Sequence, residues 1–88
     1  MTIYTFTVFD QDPNASGGGA WPHMENKEIE AEDPTEAAEG VERIMSAEAA
    51  GLSPEDYSAG DVLYANIWHE DGTCVASPRY TITEEDLQ

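Results

Sequence analysis

The chain has 88 residues, with 19 Asp and Glu against three Lys and Arg, and a formal net charge of -16; this length supports one hydrophobic core and not two. Lys27, Arg43 and Arg79 stand far apart, so the clustered cations that phosphate contacts require are missing and direct nucleic-acid binding is not expected. No apolar run approaches the roughly 20 residues of a membrane helix, and a single cysteine, Cys74, excludes an intrachain disulfide framework and fits a reducing, cytosolic compartment.

In residues 2–10, Tyr4, Phe6 and Val8 alternate with Thr5 and Thr7, the period of a half-buried strand. Met1, Thr2 and Ile3 open the chain without a basic segment before an apolar one, so no signal peptide is expected. Residues 11–20, with Pro13, Asn14, Ser16 and three consecutive glycines, read as a mobile loop that Trp21 and Pro22 re-anchor. Residues 25–32 read as a second strand, with Lys27, Ile29 and Ala31 on one face and Glu28, Glu30 and Glu32 on the other.

A helix start follows: Asp33 as N-cap, Pro34 at the first helical position and Glu36 three residues after the cap. At about 100° per residue, Ala37, Ala38, Val41, Ile44, Met45 and Ala49 share a stripe, with Glu36, Glu39, Glu42 and Arg43 opposite. Glu48 sits at the edge of the stripe. Gly51 is the expected left-handed C′ residue, Leu52 folds back onto the last turn, and Ser53, Pro54, Glu55 and Asp56 form one short turn.

In residues 61–69, Leu63, Ala65 and Ile67 alternate with Val62, Tyr64, Asn66 and Trp68, and Asp71 and Gly72 have the character of a type I′ turn leading into a strand at 73–77. A two-residue turn would set His69 opposite Cys74 and Trp68 opposite Val75. Pro78 interrupts the ladder, so residues 80–83 form a bulged continuation or a separate edge segment. The acidic tail, at about 84–88, is expected to fray. The expected fold is therefore α+β, one domain over residues 1–88: an antiparallel sheet of about four strands in ββαββ order, with one amphipathic helix on one face.

Chemistry-bearing constellations are sparse. Asp10, Asp12, Asn14 and Ser16 have the alternate spacing of a calcium loop, but Ala15 replaces the required glycine and Trp21 stands where a bidentate Glu belongs. His69, Cys74 and His23 lack zinc-ligand spacing, and the His–Cys pair lacks an orienting third group for nucleophilic catalysis. Gly17, Gly18 and Gly19 lack the Lys and helix start of a phosphate loop. Nearly all the carboxylates fall on solvent faces, loops or the tail, Glu48 at the last helical turn being the one exception by periodicity, and general acid/base work is not favoured. No catalytic residue, metal or cofactor is expected, and the chain does not read as an enzyme.

What remains is the acidic surface. Glu28, Glu30 and Glu32 are spaced at roughly 6.6 Å along a strand face, and Glu36, Glu39 and Glu42 follow at i, i+3, i+6 on the helix. If contiguous, these six glutamates imitate the charge spacing of one strand of a duplex, roughly one charge per 3.4 Å. Trp21, Tyr57 and Trp68 are the candidate apolar anchors. In size, charge and layout, with one helix opening at Asp33, Pro34, Thr35 and Glu36, the chain resembles the small acidic phage-encoded anti-CRISPR and anti-restriction DNA-mimic proteins.

That resemblance implies an inhibitor in the cytoplasm of a host bacterium, binding a basic nucleic-acid-binding protein such as a CRISPR effector complex subunit and blocking its target DNA. It implies neither a membrane partner nor direct nucleic-acid binding, and leaves the oligomeric state open. Two other readings stand beside it: a non-catalytic protein whose charge reflects high-salt adaptation or solubility, and a small metal-binding enzyme.

Overall fold

The computed structural model describes residues 1–13 and 22–87. Most of the expected loop at 11–20 lies outside them, as does Trp21. The order of elements is β1 (Thr2–Phe9), β2 (Pro22–Ala31), α1 (Pro34–Ala49), β3 (Val62–Trp68), β4 (Cys74–Ala76) and β5 (Arg79–Thr81). All strand pairs are antiparallel, in the order β2-β1-β3-β4 with β5 also on β3. The fold is α+β, with a five-stranded sheet and one helix packed against it.

The strand count exceeds the expected four because Pro78 divides the last strand. Proline donates no hydrogen bond, so the ladder breaks there while its carbonyl still accepts from Ala65 N–H at 3.0 Å. β4 and β5 then pair with opposite ends of β3, as a bulged continuation.

Phe6 lies opposite Ile67 and Val8 opposite Ala65, so the inward faces of β1 and β3 coincide. Over them α1 lays Ala37, Val41, Met45 and Ala49, all buried, and Tyr4, Leu63 and Ile82 complete the cluster. Full burial of each larger apolar side chain stabilises by about 1.5–3 kcal/mol. The helix begins as its residues dictate: Asp33, in extended backbone, accepts from Glu36 N–H at 2.8 Å, and Pro34 occupies the first turn.

Three local expectations are corrected. Gly51 does not adopt the left-handed C′ conformation; Gly51 N–H donates to Glu48 O and Leu52 N–H to Ala49 O, both at 3.1 Å, so the helix tightens into three-residue turns instead. The β3–β4 loop is not type I′. Of its residues only Gly72 has positive φ, at 88°, and the bonds Gly72 N–H to His69 O and His69 N–H to Thr73 O define a type I turn closed by a glycine bulge. The extra loop residue shifts the register, so Trp68 rather than His69 faces Cys74.

The third correction concerns β2, which starts at Pro22 and carries a bulge that plain alternation hides. Asn26, at φ 50°, is skipped between the Val8–Met24 and Phe6–Lys27 pairs, and its N–H donates to Thr7 Oγ1 at 3.1 Å. The acidic tail forms a turn through residue 87. Asp86 accepts from Thr83 N–H and the Tyr80 hydroxyl at 2.9 and 2.7 Å, and Leu87 packs against the core.

Helix and sheet approach closely at Gly40. A Cβ there would stand 2.5 Å from Ile29 Cδ1. Gly40→Leu is expected to lower stability by about 1–3 kcal/mol through overpacking. In urea denaturation, the loss should be smaller when Ile29→Ala is combined with it, whereas full additivity would show that the two residues do not share this space.

Candidate functional site

Ile29 lies opposite the buried Tyr4 and reaches Gly40, so it projects toward α1. By strand alternation its neighbours Glu28 and Glu30, paired with Thr5 and Ile3, project from the other face of the sheet. Glu32 follows the strand end and is exposed. Glu36, Glu39 and Glu42 are exposed on the side of α1 away from its buried stripe. The six glutamates therefore do not form one continuous row. A helix that buries its apolar stripe on a sheet turns its charges outward, and the strand beneath turns its charges out on the opposite side. The polar faces of the two layers stand back to back.

The expected apolar anchors also separate. Trp68 lies on the open sheet face, across β1 from Glu28, with Thr5 paired to both residues. Tyr57 is half-buried against the core, and its hydroxyl lies 3.0 Å from His23 Nε2. It ties the loop after α1 to the start of β2 and is not a free anchor. Trp21 lies outside the described residues.

A second acidic concentration was not foreseen. Asp10, Asp12, Asp56 and Asp61 line an open cleft of about 530 Å³ with Gln11, Tyr57 and Tyr64. It forms because β1 and β3 are antiparallel neighbours, with Phe9 opposite Tyr64, so the end of one and the start of the other share a sheet edge. Asp10 directly after a strand and Asp61 directly before one was the available signal, but using it required knowing that these strands pair. Burial, and then the negative charges of Asp10, Asp56, Asp61 and Glu48, push the Tyr57 phenol above its ordinary pKa.

Aspartates and glutamates have different uses. Asp33 caps α1, Asp61 accepts from Ser58 N–H, Asp71 from Thr73 N–H and Asp86 from Thr83 N–H, each closing a turn through its short side chain. Among the described residues no glutamate carboxylate takes part in a hydrogen bond or ion pair. Arg79 forms an ion pair with Asp12 at 3.8 Å, and the neutral-or-charged His69 ring places Nδ1 3.8 Å from Asp71. Asp10, Asp12, Glu48 and Asp86 are half-buried and the other Asp and Glu residues exposed, with Asp10 Oδ1 buried and without a hydrogen-bond partner among the described residues.

Among the described residues no group of three or more His, Cys, Asp and Glu is arranged to hold a metal ion. Asn14 and Ser16, two members of the calcium-like spacing, lie outside those residues. Cys74 is a free, exposed thiol opposite Trp68, and the His69 ring packs edge-on to Tyr4 at 5.8 Å, so the two do not form a pair. No helix among the described residues is long and apolar enough to cross a membrane. Comparison with protein-family models, curated proteins and solved structures finds no match.

The caps make stability depend on acid. Thr73 hydrogen bonds hold the Asp71 carboxyl below its ordinary value, and hydrogen bonds from Thr83 N–H and then Tyr80 do the same for Asp86. A depressed folded pKa contributes stability that is complete above the unfolded value of about 3.9 and is lost as pH falls through the folded one. The melting temperature of Asp86→Ala should therefore lie below that of the native chain at neutral pH, and the gap should narrow as pH falls below about 4. A gap independent of pH would show that the carboxylate charge plays no part.

Proposed function

We propose that the chain is a non-catalytic inhibitor of a host nucleic-acid-targeting defence complex, acting as an acidic DNA mimic that occupies a basic DNA-binding groove, as in a CRISPR effector complex. The observation that carries this reading is the division of labour among the carboxylates. Asp33, Asp61, Asp71 and Asp86 close turns, while the glutamates make no hydrogen bond or ion pair among the described residues. A net charge of -16 opposes compaction through self-repulsion. Glutamates without a structural partner add to that repulsion, which is consistent with a use outside the fold.

Binding of this kind gains from steering and from release of the ions held by both surfaces, so it is fast and weakens with salt. The divided geometry narrows the mimicry: each acidic face offers a short group of charges, which suits a short stretch of duplex better than a long groove.

The test is competition. With purified CRISPR effector complexes in about 50 mM salt, where screening is weak, excess protein should suppress target-DNA binding by at least one of them. The inhibition constant should rise by about tenfold or more at about 500 mM salt. Unchanged DNA binding by every complex at low salt would reject the reading. The same unpaired glutamates also suit a protein adapted to high salt; that reading expects no competition and a melting temperature still rising well beyond about 1 M salt, where the screening length is only about 3 Å.

A further inference from the structure

The sheet face opposite α1 has two unlike halves. At one end the chain covers its own sheet. The Ser77 hydroxyl donates to Asn66 Oδ1 at 2.8 Å, and the Arg79 guanidinium lies over the Tyr64 ring at 5.2 Å from its centroid and 3.8 Å from Asp12. Asp12 and Pro13 line a narrow crevice with Tyr64, Asn66, Ser77 and Pro78. Thr7 and Asn66 are buried here. At the other end, Glu28, Thr5 and Trp68 stand side by side across β2, β1 and β3, and Glu30 pairs with Ile3 in the next row. Ile3 is 39% exposed and Trp68 half-buried, while Glu28 and Glu30 are exposed.

We infer that this half, left open by the described residues and formed by Ile3, Thr5, Glu28, Glu30 and Trp68, is the docking surface for a basic protein partner. The inference rests on the reading above that the partner is basic, and adds which face meets it. Charge complementarity selects the occupant. Two carboxylates roughly 7 Å apart on one strand suit arginine or lysine side chains, and the adjacent indole and Ile3 offer a surface on which a guanidinium or an aliphatic side chain packs. Nucleic acid carries the wrong sign, and so does a second copy of this chain. The outer face of α1 has comparable charge in Glu36, Glu39 and Glu42 but no large apolar side chain beside it, and Arg43 interrupts it. It attracts cations without giving them a place to pack.

The test uses the full chain, isotope-labelled for NMR, and a synthetic peptide of alternating arginine and leucine as the probe, in about 150 mM salt so that diffuse attraction is screened. The largest shifts are expected at the amides of Thr5, Glu28 and Glu30 and at the Trp68 indole N–H. The charge-reversed pair E28K/E30K should weaken binding about tenfold, and the equally charged pair E36K/E39K less than about threefold. Trp68→Phe, which keeps an aromatic surface, should retain more affinity than Trp68→Ala. Melting curves check that each variant folds.

Shifts centred on Glu36, Glu39 and Glu42, equal weakening by both charge pairs, or no saturable binding would each overturn the assignment. The DNA-competition assay separates this failure from that of the functional reading. If E36K/E39K abolishes competition and E28K/E30K leaves it intact, the face is wrong and the inhibitor reading stands. If the native chain does not compete, the inhibitor reading falls whatever face the peptide chooses.

Discussion

The apolar seam between α1 and the sheet is the contact on which the rest of the molecule depends. Ala37, Val41, Met45 and Ala49 meet Tyr4, Phe6, Leu63, Ala65 and Ile67 there, and all are buried. Its small residues on the helix side matter as much as its large ones. Gly40 leaves room for the end of the Ile29 side chain, which a Cβ there would displace, and β2, the outermost strand, lies under the helix with Ala31 in the core and Met24 packed against it. Once the seam closes, every other side chain is assigned a direction, including the charged ones. Glu28 and Glu30 are driven to the face without a helix, while Glu36, Glu39 and Glu42 are driven to the opposite side.

The same seam has to hold a strongly repulsive shell together. Two carboxylates about 7 Å apart in water oppose each other by roughly 0.6 kcal/mol before salt screening, a small term for one pair. With few cations to offset them, many such terms accumulate against a single core. The chain reduces this burden by using aspartate where a carboxylate can also bond. The short side chain folds back to its own backbone, and Asp33, Asp61, Asp71 and Asp86 sit at the entry to α1, before β3, in the β3–β4 turn and in the tail. Glutamate, one methylene longer, does not take that geometry readily, and none does so here. At these four positions the shorter acid gives its charge a bond within the fold.

Much of the fold was legible in the sequence because its strongest signals are local. Asp33, Pro34 and Glu36 announce the helix start through side-chain and backbone chemistry within one turn, and the alternation of Tyr4, Phe6 and Val8 needs no partner to be read. The misread features depend on pairing. The bulge at Asn26 exists because Thr7 on the adjacent strand offers an oxygen to its N–H. The loop at Asp71 and Gly72 lengthens because His69 N–H reaches Thr73 O, a choice that the two turn residues alone do not determine. The acidic cleft needs β1 beside β3, a sheet order that no local pattern announces. The candidate patch was misjudged for a related reason: periodicity says which residues share a face within one element, but not how the faces of two elements are turned.

Dividing the acidic surface changes what charge alone explains. A single continuous row would have sufficed as an electrostatic imitation of a duplex, with no need for side chains that pack. Two faces of similar charge cannot be told apart by a distant basic partner, since at physiological salt the field decays over about 8 Å. Attraction brings the partner near, and short-range contact decides how it stays. On the helix side that contact is carboxylate and water. On the open sheet face it includes Ile3, Thr5 and Trp68 next to Glu28 and Glu30, where a cation that loses water on pairing finds an apolar surface to rest on.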